Sequence, residues 1–362
     1  MRDSCVDRNM VVSDRIGEDD VVFYDVRKPP FDLYGLYDPC NQPQFKRLPD
    51  EVALRVNEGV ARLYLNTAGG RVRFVTDSQY VAIRTKMQIR YQYPNMSLFG
   101  IASFDLYLDD PDTMDSRYYE TFKIGVDATD GYSYKIQFKT KRLRYLTINF
   151  PSYSNVSELL IGLSRDAVVD HGMRYREAPP IVYYGSSITQ GASASRPGNA
   201  YPSVVSRRLN TDFINLGFAG SCLAEESIAR YIAGLRMSAF VADYDHNATS
   251  PTYLEPSAER LYRIIRAAQP TLPYLFMTKP DFNISRYDEN LLRRDAIYGI
   301  YQEARREGDR NVFFIDGASL FRCDEGDMAT VDRTHPNDYG FYRMAKAVES
   351  ELRWICRSEL TR

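Results

Sequence analysis

The chain has 362 residues, 44% of them hydrophobic and 26% charged. These are the proportions of a globular protein and not of a disordered, collagenous or membrane chain, and at ~100 to 200 residues per domain the length favours two domains. Its 46 Lys plus Arg against 48 Asp plus Glu give a formal charge of −2 with no basic stripe, which argues against nucleic acid as a partner.

Histidine is the scarcest chemical resource, present only at His171, His246 and His335, so a multi-histidine metal site has almost no material. No metal and no cofactor is expected. The five cysteines are odd in number and widely spaced, without a C-x-x-C pair, and are expected to be reduced thiols. The segment Met1 to Arg8 mixes charges, and no stretch approaches ~18 consecutive apolar residues. The expectation is a cytoplasmic protein without a membrane partner; a homo-oligomer is left open.

From about 58 to 165 the apolar residues alternate, as in Arg71-Val72-Arg73-Phe74-Val75, Tyr80 to Arg84 and Tyr134 to Phe138. Period two marks half-buried antiparallel strands. Asn66 to Gly70 and Asp127 to Gly131 supply turn chemistry between them. Residues 1–177 are therefore expected to form an antiparallel β-sandwich of jelly-roll type, its less regular first fifty residues wrapping an edge.

After Ala178-Pro179-Pro180 the rhythm becomes strand, loop, helix. Strands are predicted at Ile181 to Tyr184, Phe213 to Leu216, Phe240 to Ala242, Tyr274 to Met277 and Val312 to Ile315. Helices are predicted at Tyr201 to Leu209, Glu225 to Ala233, Ala258 to Ala268, Glu289 to Arg306 and Phe341 to Cys356. Residues 178–362 thus read as an α/β unit with a five-stranded parallel sheet covered by helices on both faces.

Ligands collect beyond the carboxyl ends of such strands. The first strand leads into Gly185-Ser186-Ser187-Ile188-Thr189-Gln190-Gly191, a tight turn that presents a hydroxyl at the strand tip. It is not a G-x-S-x-G elbow, because Thr189 stands where the second glycine belongs. After the fifth strand comes Asp332-Arg333-Thr334-His335, in which a carboxylate three residues before an imidazole can hold one ring nitrogen while the other faces a serine. The loops Asn215 to Ser221 and Asp243 to Ala248 offer glycine N–H groups and an asparagine amide suited to an oxyanion. Asp243-x-Asp245-x-Asn247 imitates the start of an EF-hand, but Ala248 replaces its glycine and Leu254 its closing carboxylate, so calcium is not expected.

In order, these four loops resemble the blocks of the SGNH, or GDSL-type, serine hydrolase superfamily. That resemblance implies a flavodoxin-like three-layer αβα domain with Ser187 as nucleophile and Asp332 and His335 completing a triad. It implies an oxyanion hole from the backbone of Ser187, from Gly220 (Gly217 being the second choice) and from Asn247. Ser186 departs from the aspartate of the family name, and Asp245-His246 precede the asparagine without the usual glycine. Upstream, Gly100 to Tyr107 resembles the G-x-D-L-Y segment of a β-sandwich that precedes some bacterial members, which look like carbohydrate O-acetyl esterases. The implied substrate is a small ester, foremost an acetylated sugar, with His246 as a further substrate contact. The alternatives are an acyltransferase using the same triad and a non-catalytic carbohydrate-binding protein. Cys222 reads as a packing residue, and His171 is assigned no chemistry.

Overall fold

Two differently built halves follow from the change of rhythm, and a computed structural model describes them over residues 16–89, 93–280, 287–322 and 326–355. The first half contains β1 (Val21–Asp25), β2 (Asp32–Tyr34), helices α1 (Asp50–Val56) and α2 (Glu58–Leu63), β3 (Arg71–Thr76) and β4 (Tyr80–Gln88). Helix α3 (Leu98–Ala102), β5 (Asp105–Asp109), β6 (Ser116–Thr121), β7 (Gly131–Gln137), β8 (Arg144–Asn149), β9 (Asn155–Ser164) and β10 (Val169–His171) complete it. The strands form two antiparallel sheets, one in the order β1-β9-β4-β7 and the other in the order β10-β3-β8-β5-β6. In the second sheet β2 and β10 lie end to end along β3, against Arg71 to Arg73 and Phe74 to Thr76 respectively.

The sandwich core comes from the alternation. Val72, Phe74, Leu106, Leu146 and Ile148 of one sheet meet Val81, Ile83, Leu159, Ile161 and Leu163 of the other. Each such side chain contributes about 1.5–3 kcal/mol when fully buried. The turn before β7 needs its glycine, since Gly131 has φ +135° and an added Cβ would sit 2.0 Å from the Thr85 carbonyl oxygen.

One expectation from period two is corrected. The polar face of β3 does not meet solvent, for Arg71 and Arg73 are each only 1% exposed. They form a polar seam with the second half: Arg71 pairs with Asp212 and donates to the Phe213 carbonyl, and Arg73 donates to Asn210 Oδ1 at 3.4 Å as well as to the Met173 carbonyl of its own half at 2.9 Å.

The second half contains β11 (Ile181–Gly185), α4 (Ser187–Gln190), α5 (Tyr201–Leu209), β12 (Phe213–Gly217), α6 (Glu226–Ala233) and β13 (Ala239–Asp243). It continues with α7 (Pro251–Ala268), β14 (Tyr274–Met277), α8 (Tyr287–Arg306), β15 (Val312–Ile315), α9 (Gly317–Leu320) and α10 (Asp338–Ile355). The five strands pair in parallel in the order β12-β11-β13-β14-β15. This is the 2-1-3-4-5 order of the flavodoxin-like fold. Tyr183 faces α5 and α10 while Val182 and Tyr184 face the core under α6, α7 and α8, so both faces of β11 are covered. Helix α7 begins at Pro251, earlier than expected, because Ser250 caps it by accepting from the Tyr253 N–H and proline suits a first helical turn.

Chain order reverses at β11, whose neighbours β12 and β13 lie on opposite sides, and the crevice at its carboxyl end is the topological switch point. Arg47 of the first half reaches the underside of this crevice. It is 1% exposed and donates to four carbonyl oxygens: Leu63 at 2.8 Å, Asn66 at 2.7 Å, Asn215 at 3.1 Å and Gly217 at 2.5 Å. Arg47→Met strands all four and is expected to lower the unfolding free energy by on the order of 3 kcal/mol, read as a lower urea midpoint. An unchanged midpoint would mean that those carbonyls find other donors.

Candidate active site

β11 ends at Gly185, where any side chain would collide: an added Cβ would lie 2.1 Å from Thr189 Oγ1 and 2.3 Å from the Asp243 carbonyl oxygen. The turn is therefore tight. Ser186 caps α4 by accepting from the Ile188 N–H at 3.2 Å, and Ser187 becomes the first helical residue at the strand tip. Its Oγ lies 3.0 Å from His335 Nε2.

The last loop divides its carboxylate between two tasks. Asp332 Oδ1 accepts from the N–H groups of Thr334 at 3.1 Å and His335 at 2.8 Å, which folds the loop. Asp332 Oδ2 lies 2.7 Å from His335 Nδ1. Turn formation and imidazole orientation, which compete as readings of D-x-x-H in the sequence, are both present. With Nδ1–H bonded to the carboxylate, Nε2 is left to accept from the serine hydroxyl. Burial works to raise the Asp332 pKa; the hydrogen bonds from the His335 N–H and ring and from Asn95 outweigh it and hold the carboxyl below its ordinary value.

Gly220 lines the same pocket and has φ +67° with open space where a Cβ would point, so glycine is required by the backbone and not by crowding. Gly217 serves differently: it ends β12 packed against α4, and an added Cβ would meet the Gln190 N at 2.3 Å. Asn247 also lines the pocket, and its Oδ1 accepts from the Cys222 N–H at 3.2 Å, which fixes the orientation of the amide. His246 is a half-buried wall residue. Burial, then the nearby Lys279, His335 and Arg293, hold its pKa well below the usual imidazole value, so the ring is neutral at pH 7.

The residues singled out beside the site have structural partners. Asp243 accepts from Thr189 Oγ1 at 2.8 Å and Tyr201 OH at 3.1 Å, while Asp245 accepts from the Lys279 N–H at 2.9 Å. Cys222 is fully buried and donates its thiol to the Gly185 carbonyl, and burial pushes its pKa up. His171 lies on β10 with Nδ1 2.9 Å from Asp32, and Tyr107 packs in the sandwich edge-on to Tyr118. Cys5, Cys323 and Cys356 lie outside the described residues.

The pocket above Ser187 has a volume of about 520 Å3, and its wall includes residues the sequence reading missed. Arg62, Tyr93, Asn95, Met96 and Tyr153 come from the first half and Lys279 from the end of β14. Asn95 Nδ2 donates to Asp332 Oδ2 at 2.8 Å, and Tyr153 OH donates to the Ser187 carbonyl at 3.1 Å. Pro94-Asn95 is a legible turn signal, but nothing local says which distant loop it meets.

A model of the GDSL-like lipase/acylhydrolase family matches residues 178–353, and one of the N-terminus of SGNH-hydrolase-type esterases matches residues 21–169. Over residues 178–353 the chain is similar to the GDSL-like acylhydrolase family. A Bacteroides ovatus protein assigned as a GDSL-like lipase is 26% identical, with a TM-score of 0.83 over 93% of this chain and 98% of that one. The salicylyl-acyltransferase SsfX3 of a tetracycline biosynthetic pathway is 19% identical, with a TM-score of 0.75 over 93% and 98% of the two chains. An acetyl xylan esterase, Est2A, of Butyrivibrio proteoclasticus is 11% identical, with a TM-score of 0.59 over 92% and 98%. No curated protein matches the chain.

The Asp332 carboxyl is more acidic folded than unfolded, where such a group titrates near ~3.9. Its contribution to stability is present above that value and is lost as pH falls through the folded pKa. The stability gap between wild type and Asp332→Asn, from urea melts across pH, is expected to be largest near neutrality and to narrow below about pH 4. A gap that widens toward acid would contradict the assignment.

Proposed function

We propose that the chain is a serine esterase that removes short acyl groups, acetyl foremost, from a carbohydrate or oligosaccharide. The observation that carries this reading is the continuous relay from Ser187 Oγ through His335 to Asp332, with links of 3.0 and 2.7 Å at the wall of an open pocket. His335 Nε2 takes the hydroxyl proton as Ser187 Oγ attacks the ester carbonyl, and Asp332 orients the ring and stabilises the imidazolium. The N–H groups of Ser187 and Gly220 and the Asn247 amide hold the oxyanion, each such donor contributing about 3 kcal/mol in comparable sites. His335 then gives its proton to the departing alcohol. Water, activated by the same imidazole, adds to the acyl-enzyme carbonyl and releases the acid and Ser187.

Support for a sugar comes from the wall, where Tyr93 and Tyr153 stand among the polar side chains of Arg62, Asn95, Asn247 and Lys279, and from the fold shared with an acetyl xylan esterase. A mixed aromatic and polar surface suits the faces and hydroxyls of a pyranose better than a long acyl chain.

Ser187→Ala is expected to lower p-nitrophenyl acetate turnover by at least about 10⁴-fold with the fold intact by circular dichroism. Wild-type turnover in that variant would remove Ser187 as nucleophile, and inactivity of the wild type itself would favour a sugar-binding protein. For the substrate, acetate release from acetylated xylo-oligosaccharides is expected to exceed release of longer acyl groups from the same sugars. The reverse order would sink the acetyl assignment.

Acyl transfer is the second reading, favoured by the TM-score of 0.75 to a salicylyl-acyltransferase against 0.59 to the acetyl xylan esterase. The two share the acyl-enzyme and part at its acceptor. Mass spectrometry of products formed with an acyl-CoA donor and sugar acceptors separates an acylated sugar from free acid.

A further inference from the structure

We propose that Asn95, on the loop after β4 in the N-terminal sandwich, is a positioning residue of the triad that holds the Asp332 carboxylate in register with His335. The inference rests on the esterase reading and adds to it a fourth residue contributed by the other half of the chain. Asn95 Nδ2 is 2.8 Å from Asp332 Oδ2, the oxygen that faces His335 Nδ1, and 3.1 Å from Nδ1 itself.

The chemistry of the three groups fixes which atom of the amide points inward. Nε2 must accept from Ser187, so Nδ1 carries the proton and donates to Asp332 Oδ2. An amide oxygen placed 2.8 Å from that carboxylate oxygen would set two acceptors against each other. The amide nitrogen therefore faces the carboxylate, and Oδ2 accepts from the imidazole and from Asn95 at once; Nδ2 and Nδ1 are then both donors converging on Oδ2, and their 3.1 Å approach is a contact and not a hydrogen bond. Asp332 Oδ1 is already committed to its own loop through Thr334 and His335. With both oxygens held, the carboxylate plane cannot turn away from the ring.

The donor is itself anchored to the nucleophile's side of the site. Ser193 Oγ donates to the Asn95 carbonyl at 3.0 Å. Helix α3 sits flush on the same segment, for a Cβ added at Gly100 would lie 2.3 Å from the Ala194 carbonyl oxygen. Tyr153 OH bonds the Ser187 carbonyl at 3.1 Å. The sandwich thus touches both ends of the relay, nucleophile and acid, through two side chains of different strands' loops.

The test uses the full-length chain and p-nitrophenyl acetate, with kcat, KM, the pH profile of kcat/KM and Tm measured for wild type, Asn95→Ala, Asn95→Asp and Ser187→Ala. Asn95→Ala is expected to lower kcat by about tenfold with KM unchanged, the loss typical of a hydrogen-bonded partner behind an orienting group. Asn95→Asp adds a negative charge beside His335 that favours the imidazolium, so the acid limb of kcat/KM is expected to move up by about one pH unit. The other charged or titratable groups around His335 are Asp332 on its own loop and His246, Lys279, Arg62, Tyr93 and Tyr153 in the pocket wall, and all are unchanged in these variants. A purely structural role for Asn95 would lower Tm and leave the limb in place. Wild-type kcat in Asn95→Ala, or an unmoved limb in Asn95→Asp, overturns the inference while inactivity of Ser187→Ala leaves the esterase reading standing; activity of Ser187→Ala would overturn that reading itself.

Discussion

A guanidinium buried between the two halves organises what lies above it. Arg47 is nearly inaccessible and its donors go to backbone carbonyls of Leu63 and Asn66 on one side and Asn215 and Gly217 on the other. Its charge also lies over the Phe218 ring, 4.4 Å from the centroid. Burial draws its pKa down to about 9, which leaves it charged at neutral pH. Taking such a charge from water costs several kcal/mol unless its hydrogen bonds are complete. The rigid fork of arginine can satisfy carbonyls converging from two directions, and a lysine ammonium cannot do so with the same geometry. Separating the halves would strip the Asn215 and Gly217 carbonyls of this donor and leave the guanidinium with only its Leu63 and Asn66 partners, so the sandwich and the parallel sheet are fixed against each other at the end of β12. The loop that carries Gly220 begins at that point.

Side-chain amides extend this constraint to Ser187, the proposed nucleophile. Gln190, at the end of α4, accepts from the Ala219 N–H at 3.0 Å and donates to Asn66 Oδ1 and the Ser152 carbonyl, both at 3.0 Å. Asn215 accepts from the Gly217 N–H at 2.9 Å and donates to the Thr189 carbonyl at 2.7 Å. The short helix that begins with Ser187 and the loop that presents Gly220 are thereby tied to each other and to the sandwich through buried, fully paired groups. Preorganised donors are effective because they need not reorganise as charge develops. Here the preorganisation is supplied across the seam, and the geometry of the candidate site belongs to neither half alone.

What could be read from the sequence divides along the same seam. The five parallel strands and the helices between them are legible because each carries its own period, although the start of α7 at Pro251 is not. Asp332 and His335 were legible because their partnership is three residues long. Arg71 and Arg73 were misread as a solvent face, since alternation reports that a strand has two faces and not what the polar face meets. Asp212, the partner of Arg71, lies 141 residues away. Asn95 and Asp332 are 237 residues apart, on loops whose local signals say turn and nothing more. Residues whose function is a contact between independently folded patterns leave no periodic trace, and the pocket wall contributed by Arg62, Tyr93 and Tyr153 falls in that class.

Ser186 shows how a departure from the family pattern can keep its geometry and alter its field. The family name has aspartate at this position, directly before the nucleophile. Here the Ser186 hydroxyl accepts from the Ile188 N–H and starts α4, a role in which serine and aspartate are about equally effective. The substitution therefore leaves the turn at Gly185 and the placement of Ser187 intact. It removes a formal negative charge one residue from Ser187, the proposed nucleophile, beside which an oxyanion would form. A carboxylate there would oppose that developing charge in proportion to its burial, and Ser186 is fully buried. The neutral cap leaves the N–H groups of Ser187 and Gly220 and the Asn247 amide, the donors proposed for an oxyanion, without a competing anion from the helix start.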